Sequence, residues 1–318
     1  MTFDPKVKAF IPVVVIGEAF AALRRRLRRH LFFAKFAAFP VLTDKPKAVA
    51  PRPRVLAAIV HITSPEEQAS RPAAQVKVER LAATIDGLLC SFAHCDLKVL
   101  VVTMGQRHVV AFLPDHLKDV VELHLVDGGD PMFIGYPAQD ALIERRDAHD
   151  WFVFLEDDIE IRDASFLDKV SRFCALPGME RCVLMPNRFE YVNRVKRYID
   201  FTHLAGIVDW NRLSQVSHDG NVMAECLNGH AGMFCLSRAQ IDMLAASGRE
   251  WRGLDLYGGP RESAATFSLL ECFRLYKPHP DNYYYLEVRH IDTKYSLMHP
   301  DMSPYCFTAI SNQGSRSC

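Results

Sequence analysis

The segment Trp151–Ile161, WFVFLEDDIEI, constrains the fold of this chain more than any other. Five apolar residues, Trp151 to Leu155, run directly into Glu156, Asp157 and Asp158, and Glu160 follows two residues on. An apolar run without alternation predicts a strand buried on both faces, and such strands belong to parallel sheets enclosed by helices. The acids then emerge at the carboxyl end of that strand. Adjacent carboxylates repel one another and burial raises the cost of ionising them, so a divalent cation among them relieves both strains. Oxygen ligands at a strand end suit Mg²⁺ or Mn²⁺, held by one or two carboxylates together with substrate phosphates. The plainer alternative is a solvated acidic turn, with Asp158 or Asp163 capping a helix that begins near Ser165.

The preceding sequence repeats the strand signal. Val55–Ile62 is mainly apolar and gives way to Thr63, Ser64 and Pro65. Val78, Leu81, Ala82, Ile85, Leu88, Leu89 and Phe92 then recur at helical spacing. Leu97–Thr103 and Val120–Val126 read as two further strands, and a short helix around Gln139–Arg146 leads into Trp151. This alternation predicts an α/β fold, with a mostly parallel Rossmann-like sheet covered by helices on both faces. Ligands of such sheets sit beyond the carboxyl ends of the strands, where strand order reverses. The chain contains neither G-x-G-x-x-G nor G-K-[ST], so a nucleotide bound there leans on the metal rather than on a glycine-rich loop.

The second half has a different character. Asp163–Cys174 reads as a helix capped by Asp163, and Arg181–Pro186 as a strand. Arg188–Gly220, with Tyr191, Tyr198, His203 and Trp210, shows no clear period and reads as a long irregular stretch of the kind that carries function or moves. Asn228-Gly229-His230-Ala231-Gly232 runs through Met233–Leu236 into Ser237-x-x-Gln240, a capping box that opens a helix. Gly229 and Gly232 admit close approach of a ligand, and tight packing at a strand edge explains them nearly as well. After Gly258-Gly259-Pro260, a helix starting at Arg261-Glu262-Ser263 and carrying Phe267, Leu269, Leu270 and Phe273 puts Glu262 at its amino end. The helix dipole favours a carboxylate there, which suits a general base and equally an acid that only complements the dipole. Glu271 is the rival base. Val288–Thr293 is strand-like and carries His290, with His299 beyond it, and a lone histidine is more often structural than a ligand.

The formal net charge is zero but unevenly spread. Residues 1–54 hold twelve Lys or Arg against three acids, a local +9 that the remainder balances. Phe10–Leu23 is apolar apart from Glu18, Arg24–Arg29 is strongly basic, and Leu31–Phe39 is apolar again. Both apolar runs are short for a membrane span, and no small-residue cleavage site follows the first. An interfacial helix on an anionic membrane and a helix packed on the body with its Arg face in water stand level as readings, with a signal anchor third. Pro46, Pro51 and Pro53 mark a linker. The expected division is an arm and linker over 1–53, a body over 54–304 and a C-terminal tail over 305–318. The nine cysteines include no C-x-x-C, which favours reduced thiols and a cytoplasmic setting, peripheral to a membrane where the arm reaches one. Nucleic acid is not an expected partner.

Taken in order, FLEDDIEI, NGHAGMFCLSRAQ, the PRES helix start and VRHID resemble a GT-A fold nucleotide-sugar glycosyltransferase over roughly Arg54–Pro300. The Glu-Asp-Asp form of the family's DxD motif is similar to that of lipooligosaccharide-type galactosyltransferases and some N-acetylglucosaminyltransferases. The resemblance implies Mn²⁺ or Mg²⁺, a nucleotide-sugar donor, and a hydroxyl acceptor on a glycan, glycolipid or protein. It implies Asp158 as the ligand bridging metal and diphosphate, and His290 as a late metal or phosphate ligand with His299 in reserve. Glu156, with Asp157 beside it, would face the nucleotide ribose or the metal. Gly229 and Gly232 would line the donor and acceptor cleft, and Glu262 would be the base of an inverting transfer. Thr63, beyond the first strand, is the nucleotide-side candidate, although the family's base-binding signatures are absent there and at Thr103. Two other classes stay open. One is a catalytically silent scaffold docked through its arm. The other is a sugar-nucleotide nucleotidyltransferase, which needs a glycine-rich loop that His61-Ile62-Thr63-Ser64-Pro65 does not supply.

Overall fold

The computed structural model describes residues 51–200, 202–203, 206–207, 209–226, 229–249, 252–253 and 259–298, together with 23–24, 26–28 and 30–31. The chain divides into two units, Met1–Ala50 and Pro51–Cys318. Most of the expected arm, His299 and the tail at 305–318 lie outside the described residues. Among the described residues, no helix is long and apolar enough to cross a membrane.

The larger unit is built on a central sheet of the expected α/β class. Strands β1 (Arg54–Val60), β2 (Asp96–Met104), β3 (Val121–Val126) and β4 (Trp151–Glu156) are parallel, in the spatial order β4-β1-β2-β3. Successive residues Val55 to Ile59 and Phe152 to Leu155 are all buried. Neighbouring side chains of a strand point to opposite faces, so this pattern requires cover on both. Helix Arg71–Ser91 brings Leu81, Ile85 and Leu88 into that core, and helix Gly135–Glu144 brings Ala138, Ala141 and Leu142. The second of these begins earlier than the apolar spacing around Gln139 indicates.

Beyond β4 the strands are shorter. They are β5 (Ile159–Glu160), β6 (Cys182–Leu184), β7 (Asn187–Val192), β8 (Val195–Tyr198), β9 (Thr202–His203), β10 (Gly206–Ile207), β11 (Gln215–His218), β12 (Asn221–Glu225), β13 (Met233–Ser237), β14 (Arg274–Pro278) and β15 (Glu287–His290). β13 joins the central sheet antiparallel to β4. The others form two four-stranded sheets, β11-β12-β14-β6 and β5-β15-β7-β8, and the pair β10-β9. The stretch Arg188–Gly220 is therefore largely extended rather than irregular. Its strands escape a reading by period because β7 buries Arg188 and Glu190 on one side and Phe189 on the other, so no apolar alternation announces it.

The local capping signals divide. Ser237 and Gln240 form the expected box at the start of helix Arg238–Ala246. Asp163 instead accepts hydrogen bonds from Ser165 N and Oγ, at 2.9 and 2.6 Å, one turn ahead of helix Phe166–Cys174. The helix expected from Arg261 is α-helical over Pro260–Glu262, π-helical over Ser263–Phe267 and α-helical again over Ser268–Leu270, with Phe273 beyond its end. The wider turn coincides with a close crossing. A Cβ at Gly135 would lie 2.5 Å from Ala264 Cβ, and the Ala264 carbonyl accepts from the side chains of Gln139 and Ser268. Short π segments of this kind recur at functional sites.

Candidate active site

β4 delivers Glu156 to the carboxyl edge of the sheet, and the turn Asp157–Asp158 reverses the chain into β5. The backbone of this turn is tied on three sides. Glu156 N donates to Gly232 O at 2.9 Å, Thr84 Oγ1 to Asp157 O at 3.1 Å, and Ile291 N to Asp158 O at 2.8 Å. Gly232 has φ +62, a left-handed conformation that favours glycine, and a Cβ there would press on Ile159 and sit 3.3 Å from Glu156 Oε2.

The three adjacent acids have different surroundings. Asp157 is engaged from within the protein: His61 Nδ1 donates to Oδ2 at 2.5 Å and Lys77 Nζ at 3.1 Å. Val109 N donates to His61 Nε2 at 3.2 Å, which fixes the proton on Nδ1. Burial by itself raises the Asp157 pKa, but the His61 hydrogen bond and the Lys77 charge overturn that and bring it down to about 2. Asp158 is different. Its Oδ1 is buried with no hydrogen-bond partner, and its Oδ2 lies 3.5 Å from His290 Nε2. Glu156 faces the cleft, where burial first, and then the charges of Asp158 and Glu262, push its pKa up to about 8.

His290 reaches Asp158 because β15 pairs antiparallel with β5, opposing His290 to Ile159. Its Nδ1 donates to Glu190 Oε1 at 2.8 Å. Glu190, wholly buried, also accepts from Tyr295 N and Ser296 N. Burial alone lowers the His290 pKa, but the Asp158 and Glu190 carboxylates overturn that and push it to about 9. A carboxylate on one imidazole nitrogen, leaving the other nitrogen toward the cleft beside Asp158, is the usual support of a metal-binding histidine. Among the described residues, no group of three or more metal-ligating side chains converges. The residues fit a cation held by Asp158 and His290 with the rest of its shell supplied by substrate, and the oxygen and imidazole donors suit Mn²⁺ better than Mg²⁺.

Beside the cleft lies a buried ionic network. Asp200 accepts from Arg188 N, Nε and Nη2 at 2.8, 3.0 and 2.9 Å and from Lys277 Nζ at 2.9 Å. Lys277, wholly buried, also donates to His230 O at 2.9 Å. The Arg188 guanidinium sits 4.9 Å from the ring centroid of Tyr295, which lines the cleft. Two cations to one acid leave a positive surplus behind Glu156, and the Arg188 charge partly offsets the upward push on its pKa. Arg188 and Glu190 alternate with Phe189 along β7, and that period-2 spacing of charges is the one hint the sequence offers.

The cleft lining also includes Arg261 and Glu262. Gly259 takes φ +143, and a Cβ there would come within 2.7 Å of Glu262 Oε2, so the glycine makes room for the folded-back carboxylate. Glu262 thus lies at the amino end of its helix, as the sequence indicates, and shares the cleft with Glu156 and Asp158. Glu271 is exposed, follows the end of the helix and does not line the cleft. Thr63 is buried beside the cleft, its hydroxyl accepting from Gln68 Nε2 at 3.0 Å. Gly229 packs against Leu275, whose Cδ1 would lie 2.1 Å from an added Cβ, so close packing accounts for the glycine there.

No protein-family model matches the chain, and no curated protein matches it in sequence. Among solved structures, S. aureus TarS 1–349 matches at 9% identity and a TM-score of 0.42, covering 76% of this chain and 61% of that one. The mannosyltransferase PcManGT from Pyrobaculum calidifontis, solved with GDP-Man and Mn²⁺, matches at 13% identity and a TM-score of 0.35, covering 87% and 67%. A putative glucose-1-phosphate thymidylyltransferase from Bacillus anthracis, in complex with a sucrose, matches at 14% identity and a TM-score of 0.34, covering 70% and 86%. Likeness this distant transfers neither substrate nor chemistry to this chain.

Proposed function

We propose that this chain transfers a sugar from a nucleotide-sugar donor to a hydroxyl of a glycan, glycolipid or protein, with a GT-A type of site. The observation that carries the reading is the buried Asp158 Oδ1, unpartnered among the described residues, beside a carboxylate-supported His290 in a cleft that Glu262 also lines. Asp158 and His290 would hold Mn²⁺ or Mg²⁺, which when bound supplies positive charge to the departing diphosphate. Arg261 and Lys294, which also line the cleft, would add cationic contacts to phosphate oxygens. Glu156 would face the ribose or the cation, with Gly232 fixing its backbone. Glu262 would accept the proton of the incoming hydroxyl, which gives inversion at the anomeric carbon. Thermal-shift titration with nucleoside diphosphates and nucleotide sugars, with and without Mn²⁺, tests this reading. Stabilisation that requires nucleotide and Mn²⁺ together is expected, and its absence for every nucleotide would remove the proposal.

The arm is proposed as a peripheral contact with anionic membrane. The described residues between 23 and 31 are helical, and Leu23, Leu27 and Leu31 are exposed at a four-residue spacing among arginines. Removing residues 1–50 should weaken binding to vesicles containing anionic lipid, and equal binding by both forms would count against the contact.

A further inference from the structure

The two edges of the central sheet differ. At one, β13 is buried, with Met233, Phe234 and Leu236 wholly enclosed. At the other, β3 pairs only with β2 among the described residues, and Leu123 and Leu125 are 38% and 49% exposed. An edge strand presents a row of unpaired N–H and C=O groups, which proteins guard with Lys, Pro, a bulge or a covering element. Val120–Val126, VVELHLV, has no Lys and no Pro, and its register with β2 runs unbroken from Val121 to Val126.

We propose that β3 pairs antiparallel with β3 of a second copy of this chain, about a two-fold axis at Leu123, so that the two central sheets become one. The strand is self-complementary about that residue. Leu123 faces its own copy, Val121 faces Leu125 on the same side of the sheet, and Glu122 faces His124 on the other side. Cross-strand apolar pairs stabilise such a ladder, and an imidazole N–H of His124 can donate to the Glu122 carboxylate. Other registers lose this match: an axis at Glu122 opposes two carboxylates, and one at His124 sets Glu122 against Val126. Glu122 is already held at the edge by Lys98 and Arg145, at 2.6 and 2.8 Å, which orders the carboxylate beside the pairing line. A two-fold interface repeats each contact, so a short strand contributes twice. Because strand direction reverses in the partner, the two clefts open at opposite ends of the joined sheet. The pairing is independent of what the cleft does.

Sedimentation of the full chain across about 1–100 μM should show a monomer–dimer equilibrium, and Leu123→Lys should leave only monomer by setting like charges opposite each other. Directly opposed residues of antiparallel strands have Cα atoms about 4.5–5.5 Å apart, within disulfide range. With Cys90, which is exposed, and Cys306 and Cys318, which lie outside the described residues, replaced by Ser, Leu123→Cys should therefore cross-link under mild oxidation and Val121→Cys should not. A chain that stays monomeric throughout that range overturns the proposal. So does a dimer that survives Leu123→Lys, or equal cross-linking through Val121→Cys.

Discussion

The two walls of the cleft are built differently. The wall made by the acid turn and β15 is fixed by bonds that converge from distant parts of the chain: Gly232, Thr84 and Ile291 hold its backbone, and His61, Lys77 and Glu190 hold its side chains. The wall made by Arg261 and Glu262 rests on a single α-turn that passes into a π-turn, and the Glu262 carboxylate forms no hydrogen bond to the described residues. A fixed wall suits a job that needs geometry in place beforehand, which is the holding of a cation and a diphosphate. A carboxylate with its lone pairs unengaged among the described residues suits a job in which the substrate supplies the hydrogen bond, which is proton abstraction. Under the proposed function, the fixed wall would position the substrate and Glu262 would react.

The sharpest way to break the comparison is to remove the reacting group alone. Glu262→Gln should lower turnover by about 10²- to 10⁴-fold with donor affinity nearly unchanged. Near-parental turnover in that variant would displace Glu262, and retention of configuration in the product would show that no base of this kind is needed. The corresponding change on the fixed wall, Asp158→Asn, should cost at least the roughly 10- to 100-fold in Mn²⁺ affinity that loss of a ligand's supporting partner costs, and abolish the Mn²⁺-dependent stabilisation by nucleoside diphosphate. Calorimetry that finds parental Mn²⁺ binding would reduce the acids to a turn.

Asp157→Asn probes whether the middle acid serves the scaffold. It keeps an oxygen for His61 but loses the charge facing Lys77, and should lower stability by about 1–3 kcal/mol while leaving Mn²⁺ affinity within a few-fold of parental. Denaturant melts and calorimetry on one sample distinguish this from a ligand role, in which affinity would fall more than stability.

A further effect is on pH. Glu156, raised from 4.5 to about 8, holds its proton in the folded chain where the unfolded chain has lost it, so its contribution to stability diminishes as pH rises through that window. His290, raised from 6.5 to about 9, acts in the same direction: its contribution is complete below 6.5 and lost toward 9. Asp157 has the opposite sign, stabilising above 3.8 and losing that contribution as pH falls toward 2. Without cation, stability should therefore decline from about pH 4.5 to 9, while Mn²⁺ affinity climbs as protons leave its ligands. Stability and affinity rising together with pH would contradict the assignment of both groups.

Much of the fold was legible in the order of residues. The unbroken apolar runs at β1, β2 and β4 and the helical spacing from Val78 to Leu88 are local patterns, and local patterns name elements without help from the rest of the chain. The capping box at Ser237 was legible for the same reason. The sheets of the second half were not, because β7 carries charges where a reader looks for apolar residues. Arg188, Glu190, Asp200 and Lys277 are tolerated inside only because each finds a partner, and pairing leaves no trace in composition.

For the cleft, the sequence by itself determined that three acids stand at the end of a buried strand and that Glu262 opens a helix after Gly259. Both follow from neighbours within a few residues. Which of the three acids keeps a buried oxygen without a partner among the described residues was decided only in three dimensions. Asp157 is claimed by Lys77, 80 residues away, and by His61, 96 away. His290 is set against Asp158 by the pairing of β15 with a two-residue strand, and is held there by Glu190, 100 residues before it. Identical carboxylates acquire different roles through such partners, because a charge in a low-dielectric interior is governed by what lies within a few ångströms of it.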